Sequence, residues 1–149
     1  MKTLIVYYSR TGNTKKIAEI LAKKLKADTE EIIDLKNRKG PINFIRSGKE
    51  AMSEKPAAIK DPKKDPSKYD LIIIGTPVWA SNVSTPIRTY VKNNTFKKVA
   101  FFCTTGGRGI DKCFKKLEEI CKKPIASLGL TANNLDNTKK INDFVKKLT

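Results

Sequence analysis

Residues 9–14, near the start of the chain, contain three hydroxyl side chains and a glycine. In order they are Ser9, Arg10, Thr11, Gly12, Asn13 and Thr14. They follow an apolar run, residues 4–8, that is typical of a buried strand, and a helical pattern begins directly after them. Free N–H groups at a helix start and the helix dipole favour an anion, and the hydroxyl groups are further donors. Residues 9–14, named here the phosphate loop, therefore predict a phosphate-binding site.

The composition of the phosphate loop indicates which kind of phosphate it binds. The loop lacks the G-x-x-x-x-G-K-[ST] pattern of a triphosphate site, and it has one glycine where a dinucleotide turn needs three. Hydroxyl donors without a terminal lysine suit a single phosphate monoester. Because Ser and Thr also cap ordinary helices, a simple helix start is the alternative interpretation.

A second loop carries the only tryptophan of the chain. It follows the apolar run 71–75 and consists of Thr76, Pro77, Val78, Trp79 and Ala80. An aromatic side chain at the carboxyl end of a strand can stack on a planar ring, or it can close the edge of the core. We name residues 76–80 the tryptophan loop, and both interpretations stay open on this segment alone.

A third loop, residues 104–109, is rich in glycine and is named the glycine loop. It follows the apolar run 99–103 and begins with Thr104, Thr105, Gly106 and Gly107. Its glycines free the backbone to approach a ligand closely. The alternative interpretation is an ordinary flexible surface loop.

Strand-like and helical patterns alternate along the chain and predict an α/β fold. Strands are predicted at residues 4–8, 29–35, 71–75, 99–103 and 125–130. Helical spacing follows the phosphate loop and recurs at 86–91, at 110–121 and in a C-terminal stripe of Ile141, Phe144, Val145 and Leu148. Apolar strands separated by helices indicate a parallel sheet covered on both faces, with ligands bound at the carboxyl ends of the strands.

The remaining stretch, residues 36–68, is polar and irregular, with one helix predicted near 44–53. No internal repeat is visible, and 149 residues provide one sizeable core. We therefore expect a single domain over residues 1–149.

All three loops resemble those of flavodoxins. The S-x-T-G-x-T order of the phosphate loop resembles the loop that holds the 5′-phosphate of FMN in that family. T-P-V-W-A, followed by S-T-P before a helix, resembles the second flavin loop, and the glycine loop resembles the third. The resemblance covers nearly the whole chain and implies a flavodoxin-like fold, a five-stranded parallel sheet of order 2-1-3-4-5 with helices on both faces.

The resemblance also implies FMN as the cofactor and a role for each loop. Ser9, Thr11, Asn13 and Thr14 are expected to hold the phosphate, while Gly12 allows the turn and Arg10 adds charge. Residues 76–80 and 104–107 are expected to flank the isoalloxazine ring. Simple electron transfer requires no side chain as acid or base, so we predict no catalytic residue.

The charge of the chain departs from that resemblance, because typical flavodoxins are strongly acidic and this chain has a net charge of +16. Residues 106–109 also lack the acidic residues and the stacking tyrosine that the third loop often carries in flavodoxins. A cationic surround favours reduced, anionic flavin, so we expect a higher second reduction potential than in acidic flavodoxins. The charge also predicts acidic redox partners.

Composition argues against several other functions. The lysines recur in every part of the chain without interleaved aromatic residues, which disfavours a dedicated nucleic-acid role. The chain has no histidine, and Cys103, Cys113 and Cys121 do not have metal-ligand spacing, so no metal site is predicted. An odd cysteine number without a signal peptide indicates a reducing cytoplasm, and no apolar run is long enough to span a membrane.

Three functions remain open from the sequence. The favoured one is a small carrier that transfers electrons between protein partners, because no nicotinamide or substrate motif is visible. The second is an FMN-dependent NAD(P)H:quinone-type oxidoreductase, for which the open glycine loop leaves the flavin face free. The third is a module without redox function that binds an anionic partner. The sequence predicts no oligomeric state.

Overall fold

The apolar runs of the sequence lie side by side as parallel strands in the computed structural model, which describes residues 1–35, 45, 47, 49 and 57–149. The strands are β1 (Thr3–Tyr7), β2 (Asp28–Glu31), β3 (Leu71–Trp79), β4 (Asn82–Val83), β5 (Lys98–Thr105) and β6 (Ser127–Thr131). The helices whose bounds lie within the described residues are α1 (Asn13–Leu25), α2 (Thr85–Lys92), α3 (Ile110–Ile120) and α4 (Thr138–Leu148). Short 3-10 turns are formed by Pro66–Lys68 and Ala132–Asn134. The helix predicted near 44–53 lies outside the described residues, apart from Ile45, Ser47 and Lys49, which are helical.

The strand order is β2-β1-β3-β5-β6, with every neighbouring pair parallel. This confirms the predicted order of five parallel strands, to which β4 adds a short antiparallel pairing with the end of β3. The chain moves outward from β1 to β2 and returns to place β3 on the other side of β1. The order therefore reverses between β1 and β3, and ligands of such sheets bind at this position.

Helices cover both faces of the sheet, as predicted. On one face α2 and α3 pack on the strands, and Tyr90 and Leu117 lie in the core there. On the other face α1 and α4 pack on the strands, and Leu21 and Phe144 lie in the core. The C-terminal stripe is confirmed, since Ile141, Phe144 and Leu148 are buried. The strands are buried on both sides, which explains their near-continuous apolar sequences.

The second predicted strand, 29–35, is shorter than expected. Pairing of β2 with β1 ends at Glu31, and the N–H of Ile32 still donates to Tyr7 O at 2.7 Å. The next residues turn to a different segment, because Leu35 N donates to Ala58 O and Lys60 N donates to Ile33 O. The apolar run therefore continues in sequence but leaves the sheet.

Burial of Tyr7 at the end of β1 predicts an effect of pH on stability. Burial, followed by the charges of Glu31 and Glu19, raises the pKa of Tyr7 to about 12, against about 10 in an unfolded chain. Between these values the folded state keeps a proton that the unfolded state has lost, so the free energy of unfolding falls as pH rises from about 10 to about 12.

We expect Tyr7→Phe to make that fall shallower in urea unfolding followed across this pH range. Part of the slope should remain, because burial also raises the pKa of Tyr90. An unchanged slope in the variant would contradict the assignment to Tyr7.

No helix in the part of the chain that the structure describes is long and apolar enough to cross a membrane.

Candidate functional site

The phosphate loop forms the start of α1 in a conformation that suits an anion. Gly12 caps the helix with a φ of 102°, in the left-handed region, and nothing lies within 4 Å of the position a Cβ would take there. The hydroxyl of Ser9 accepts the N–H groups of Gly12 and Lys15, both at 3.1 Å. No described residue accepts the N–H groups of Thr11, Asn13 or Thr14. These groups at a helix N-terminus are therefore free to bind a phosphate.

The phosphate loop is fixed to the glycine loop by a buried pair of hydroxyl groups. Thr14 Oγ1 lies 2.8 Å from Thr104 Oγ1, and both side chains are buried. Either hydroxyl can be the donor in this contact, so the Thr14 proton is still available to an anion when Thr104 donates. The pair holds the end of β5 against the first turn of α1.

The tryptophan loop is mostly strand, which corrects the sequence interpretation of residues 76–80 as a loop. β3 continues to Trp79 because Thr76 and Pro77 pair with β5, while Val78 and Trp79 pair with β4. Ala80 and Ser81 form the turn, with φ of 50° and 60°. Two positive φ values in a two-residue turn match the twist of a hairpin, although neither residue is glycine.

Two buried contacts hold this hairpin in place. The hydroxyl of Thr76 accepts Ser84 N at 3.1 Å and lies 2.9 Å from the Ser84 hydroxyl. Trp79 is 3% exposed and meets Tyr8 edge to face, with ring centroids 5.5 Å apart. In this structure Trp79 closes the edge of the core, while Ala80 is exposed and Pro77 and Val78 are half-buried.

The glycine loop is shaped by one hydroxyl and two glycines. Thr105 Oγ1 donates to Arg108 O at 2.8 Å and accepts Gly107 N at 3.2 Å. Gly106 and Gly107 are exposed, and a Cβ on either would meet nothing within 4 Å. Gly109 caps α3 with a φ of 90°, and a Cβ there would lie 2.7 Å from the Cα of Ser81. Only glycine at position 109 allows the hairpin turn to pack so closely on the start of α3.

The three loops therefore meet at the carboxyl edge of the sheet. Thr14 and Thr104 join the phosphate and glycine loops, Tyr8 and Trp79 join the first strand to the hairpin, and Ser81 packs on Gly109. A groove of about 800 Å³ is lined by residues of the hairpin turn, the glycine loop and α3, among them Ser81, Arg108 and Lys112. That groove does not include the phosphate loop.

Charges around the phosphate loop are partly paired. Lys15 lies 3.9 Å from Glu31 and Lys16 lies 3.1 Å from Asp136. Arg10 is half-buried and Arg108 is exposed. The described residues contain no group of His, Cys, Asp and Glu that could hold a metal ion.

Two of the three cysteines form a buried pair beneath the glycine loop. The sulfur atoms of Cys103 and Cys113 are 3.5 Å apart, and both residues are fully buried. Burial raises the pKa of the Cys103 thiol well above its usual range. Because the thiolate is the reactive form, the pair packs the core, which is the role expected for Cys113 from the sequence.

Several residues that shape the site were not predicted from the sequence. Arg88 is 1% exposed beneath the hairpin and its Nη2 donates to Asn82 Oδ1 at 2.6 Å. An arginine on an amphipathic helix is ordinarily an exposed residue, so no sequence signal indicated its burial. Ser81 and Gly109 were likewise not among the predicted site residues, although the glycine could have been suspected at a helix start.

Comparison with known families agrees with this architecture. The family model of flavodoxin matches residues 2–148, so the chain belongs to the flavodoxin family. No curated protein matches its sequence.

Solved structures of flavoproteins are similar to this chain. A flavoprotein from Lactobacillus acidophilus in complex with FMN is 25% identical, with 96% of this chain and 97% of that chain covered and a TM-score of 0.70. A candidate flavoprotein from Bacteroides eggerthii is 25% identical over 97% of this chain and 96% of that chain, with a TM-score of 0.81. Flavodoxin 2 from Bacillus cereus is 18% identical over 99% and 97%, with a TM-score of 0.62, and is a likeness of fold alone.

Proposed function

We propose that the three loops bind FMN and that the protein is a flavodoxin-like electron carrier between protein partners. The observation that carries the proposal is the phosphate loop at the switch point of the sheet. There, helix N–H groups that no described residue accepts lie beside the glycine loop and the hairpin, which contact each other. The similar flavoprotein from Lactobacillus acidophilus was solved in complex with FMN, which supports the same cofactor here.

The residues present fit the parts of FMN. The N–H groups of Thr11, Asn13 and Thr14 bind the phosphate monoester, and the Ser9 hydroxyl keeps the loop in shape by accepting two of its N–H groups. Residues 76–80 and 104–107 flank the ring. Gly106 and Gly107 are exposed and have no side chain, so their backbone can lie close to the ring. Bound FMN supplies the redox chemistry, and the protein supplies position and charge.

The test of the proposal is the retention of FMN. We expect the purified protein, mixed with FMN and desalted, to keep the visible absorbance of oxidised flavin in a one-to-one complex. A folded protein that retains no flavin would contradict the proposal and would favour an anion-binding module without redox function.

A reductase is the second candidate function, because Gly106, Gly107 and Arg108 of the glycine loop are exposed and this loop has no aromatic side chain to cover the outer face of the ring. The two functions differ in turnover. Steady oxidation of NAD(P)H with a quinone by the FMN-loaded protein would favour the reductase, whereas a carrier exchanges electrons only with protein partners.

The reduction potential of bound FMN offers a further prediction. Arg10 and Arg108 flank the proposed site, and positive charge stabilises reduced, anionic flavin. We expect Arg10→Gln/Arg108→Gln to lower the second potential by a few tens of millivolts. This follows because a charge close by in water contributes about 1 kcal/mol and 1.4 kcal/mol corresponds to about 59 mV.

The matched control is Lys97→Gln/Lys98→Gln, which removes the same charge at the opposite edge of the sheet. Charges further away than about 8 Å are screened at physiological salt, so the potential of the control should not change. Equal shifts in both variants, or a native potential as low as that of acidic flavodoxins, would contradict the role of the two arginines.

The proposed carrier operates in the reducing cytoplasm, where free thiols persist. Cys103, Cys113 and Cys121 are free in the structure, which supports this location.

A further inference from the structure

Two grooves flank the turn of the hairpin on the side of α3. The larger, about 800 Å³, is lined by Arg108, Lys112 and Lys140, together with glycines of the glycine loop. The smaller, about 470 Å³, is lined by Ala80, Lys112 and Lys115 among others. Because the grooves share Ser81 and Lys112, they form one continuous surface beside the tryptophan and glycine loops.

This surface carries positive charge that no described acidic residue neutralises through an ion pair. Within the described part of the chain, no carboxylate forms an ion pair with Arg108, Lys112, Lys115 or Lys140, which we name the cationic face. Two acidic residues line the grooves, and one of them, Glu119, is paired with Lys116 at 3.7 Å. An approaching molecule therefore meets four uncompensated cations and one carboxylate, that of Asp111.

We propose that the cationic face is the docking surface for an acidic redox protein. The proposal rests on the proposed function, because a partner on this face lies against the two loops that flank the flavin and so brings its redox centre near the ring. Complementary charge steers such encounters and fixes their orientation. An acidic protein fits better than a nucleic acid, because a nucleic-acid strand would need aromatic side chains on which its bases stack. Among the described residues, the half-buried Phe114 is the only aromatic side chain that lines the two grooves.

The test compares two variants of equal net charge. One is K112Q/K115Q/K140Q, which keeps Arg108 because that residue is expected to change the potential of the flavin itself. Its control is K24Q/K97Q/K123Q, which removes three exposed lysines at the amino edge of the sheet. The probe is a strongly acidic [2Fe–2S] ferredoxin, and the measured quantity is the second-order rate of electron transfer to the FMN-loaded protein at several salt concentrations.

We expect the cationic-face variant to react at least about tenfold more slowly than the native protein at low salt and to lose most of its salt dependence. The control should keep most of the native rate. Equal slowing of both variants would overturn the proposal, since overall charge would then explain the effect, and so would an unchanged rate in the cationic-face variant.

A second measurement separates this proposal from the proposed function. FMN retention is measured on every protein, and binding of the ferredoxin to the FMN-free proteins is measured by titration calorimetry. Selective loss of ferredoxin binding in the cationic-face variant supports the docking surface even if no FMN is held. Tighter binding of a single-stranded oligonucleotide than of ferredoxin, lost in the same variant, would overturn the choice of partner.

Discussion

Gly12→Ala is expected to weaken FMN binding about five- to thirtyfold. Gly12 has a φ of 102°, and a side chain at this backbone conformation costs about 1–2 kcal/mol. The surrounding space is open, so the effect comes from the backbone and not from a steric clash. If the loop relaxes to avoid the strain, its N–H groups turn away from the phosphate. Fluorescence titration with FMN measures the loss.

Riboflavin, which lacks the phosphate, is the control ligand for this variant. Its affinity should change little, because the phosphate loop does not contact the ring in the proposed site. Urea unfolding of the FMN-free native and Gly12→Ala proteins is the control for stability, because it measures any general loss of folding free energy separately from ligand binding. Equal losses of FMN and riboflavin affinity in Gly12→Ala would show that the substitution disturbs the fold and not the phosphate contact.

Gly75→Ala is expected to destabilise the protein by about 1–3 kcal/mol, the usual cost of overpacking a core. Gly75 lies in β3 opposite Phe102 of β5, and a Cβ there would be 2.0 Å from the Phe102 ring. That ring is fully buried, so it cannot swing into solvent. Urea unfolding of the FMN-free protein measures the change, with an unchanged slope as evidence that two-state unfolding holds.

A second substitution tests whether the Phe102 ring is the cause. Phe102→Leu makes room for the added methyl group, so Gly75→Ala/Phe102→Leu should be at least about 0.5 kcal/mol more stable than the sum of the two single losses predicts. Additive losses would mean that another contact limits the size of residue 75.

The sequence predicts the strands and helices of this protein well, because each depends mainly on the pattern of residues within its own segment. Buried parallel strands require continuous apolar runs, and the order 2-1-3-4-5 followed from the family resemblance that the phosphate loop revealed. The same loop predicted the helix start, since Gly12 in S-x-T-G-x-T is followed at once by a helical pattern, and α1 begins at Asn13.

Features that depend on distant partners were not predictable. The extension of β3 to Trp79 comes from its pairing with β4 and β5, and T-P-V-W-A contains a proline that argues against a strand. Thr14 shows the same limit. Its hydroxyl lies 2.8 Å from that of Thr104, a residue 90 positions away, and no local pattern indicates this contact. The role of Thr14 at the phosphate stays a prediction.

The turn of the hairpin is a third case. A two-residue turn with both φ values positive usually has Asn-Gly or Asp-Gly, and here it has Ala80 and Ser81. Non-glycine residues in this region store strain that often accompanies function. The turn lies between the glycine loop and the cationic face. Its strain is therefore located between the proposed flavin site and the proposed docking surface.

The most direct test of the account is the affinity of the native protein for FMN compared with that for riboflavin. The account places the phosphate on the N–H groups of the phosphate loop, and each hydrogen bond to a charged group contributes about 1.5–3 kcal/mol. With two such bonds, FMN should bind at least about a hundredfold more tightly than riboflavin. Equal affinities would contradict the account, because the phosphate loop would then be only the capped start of α1.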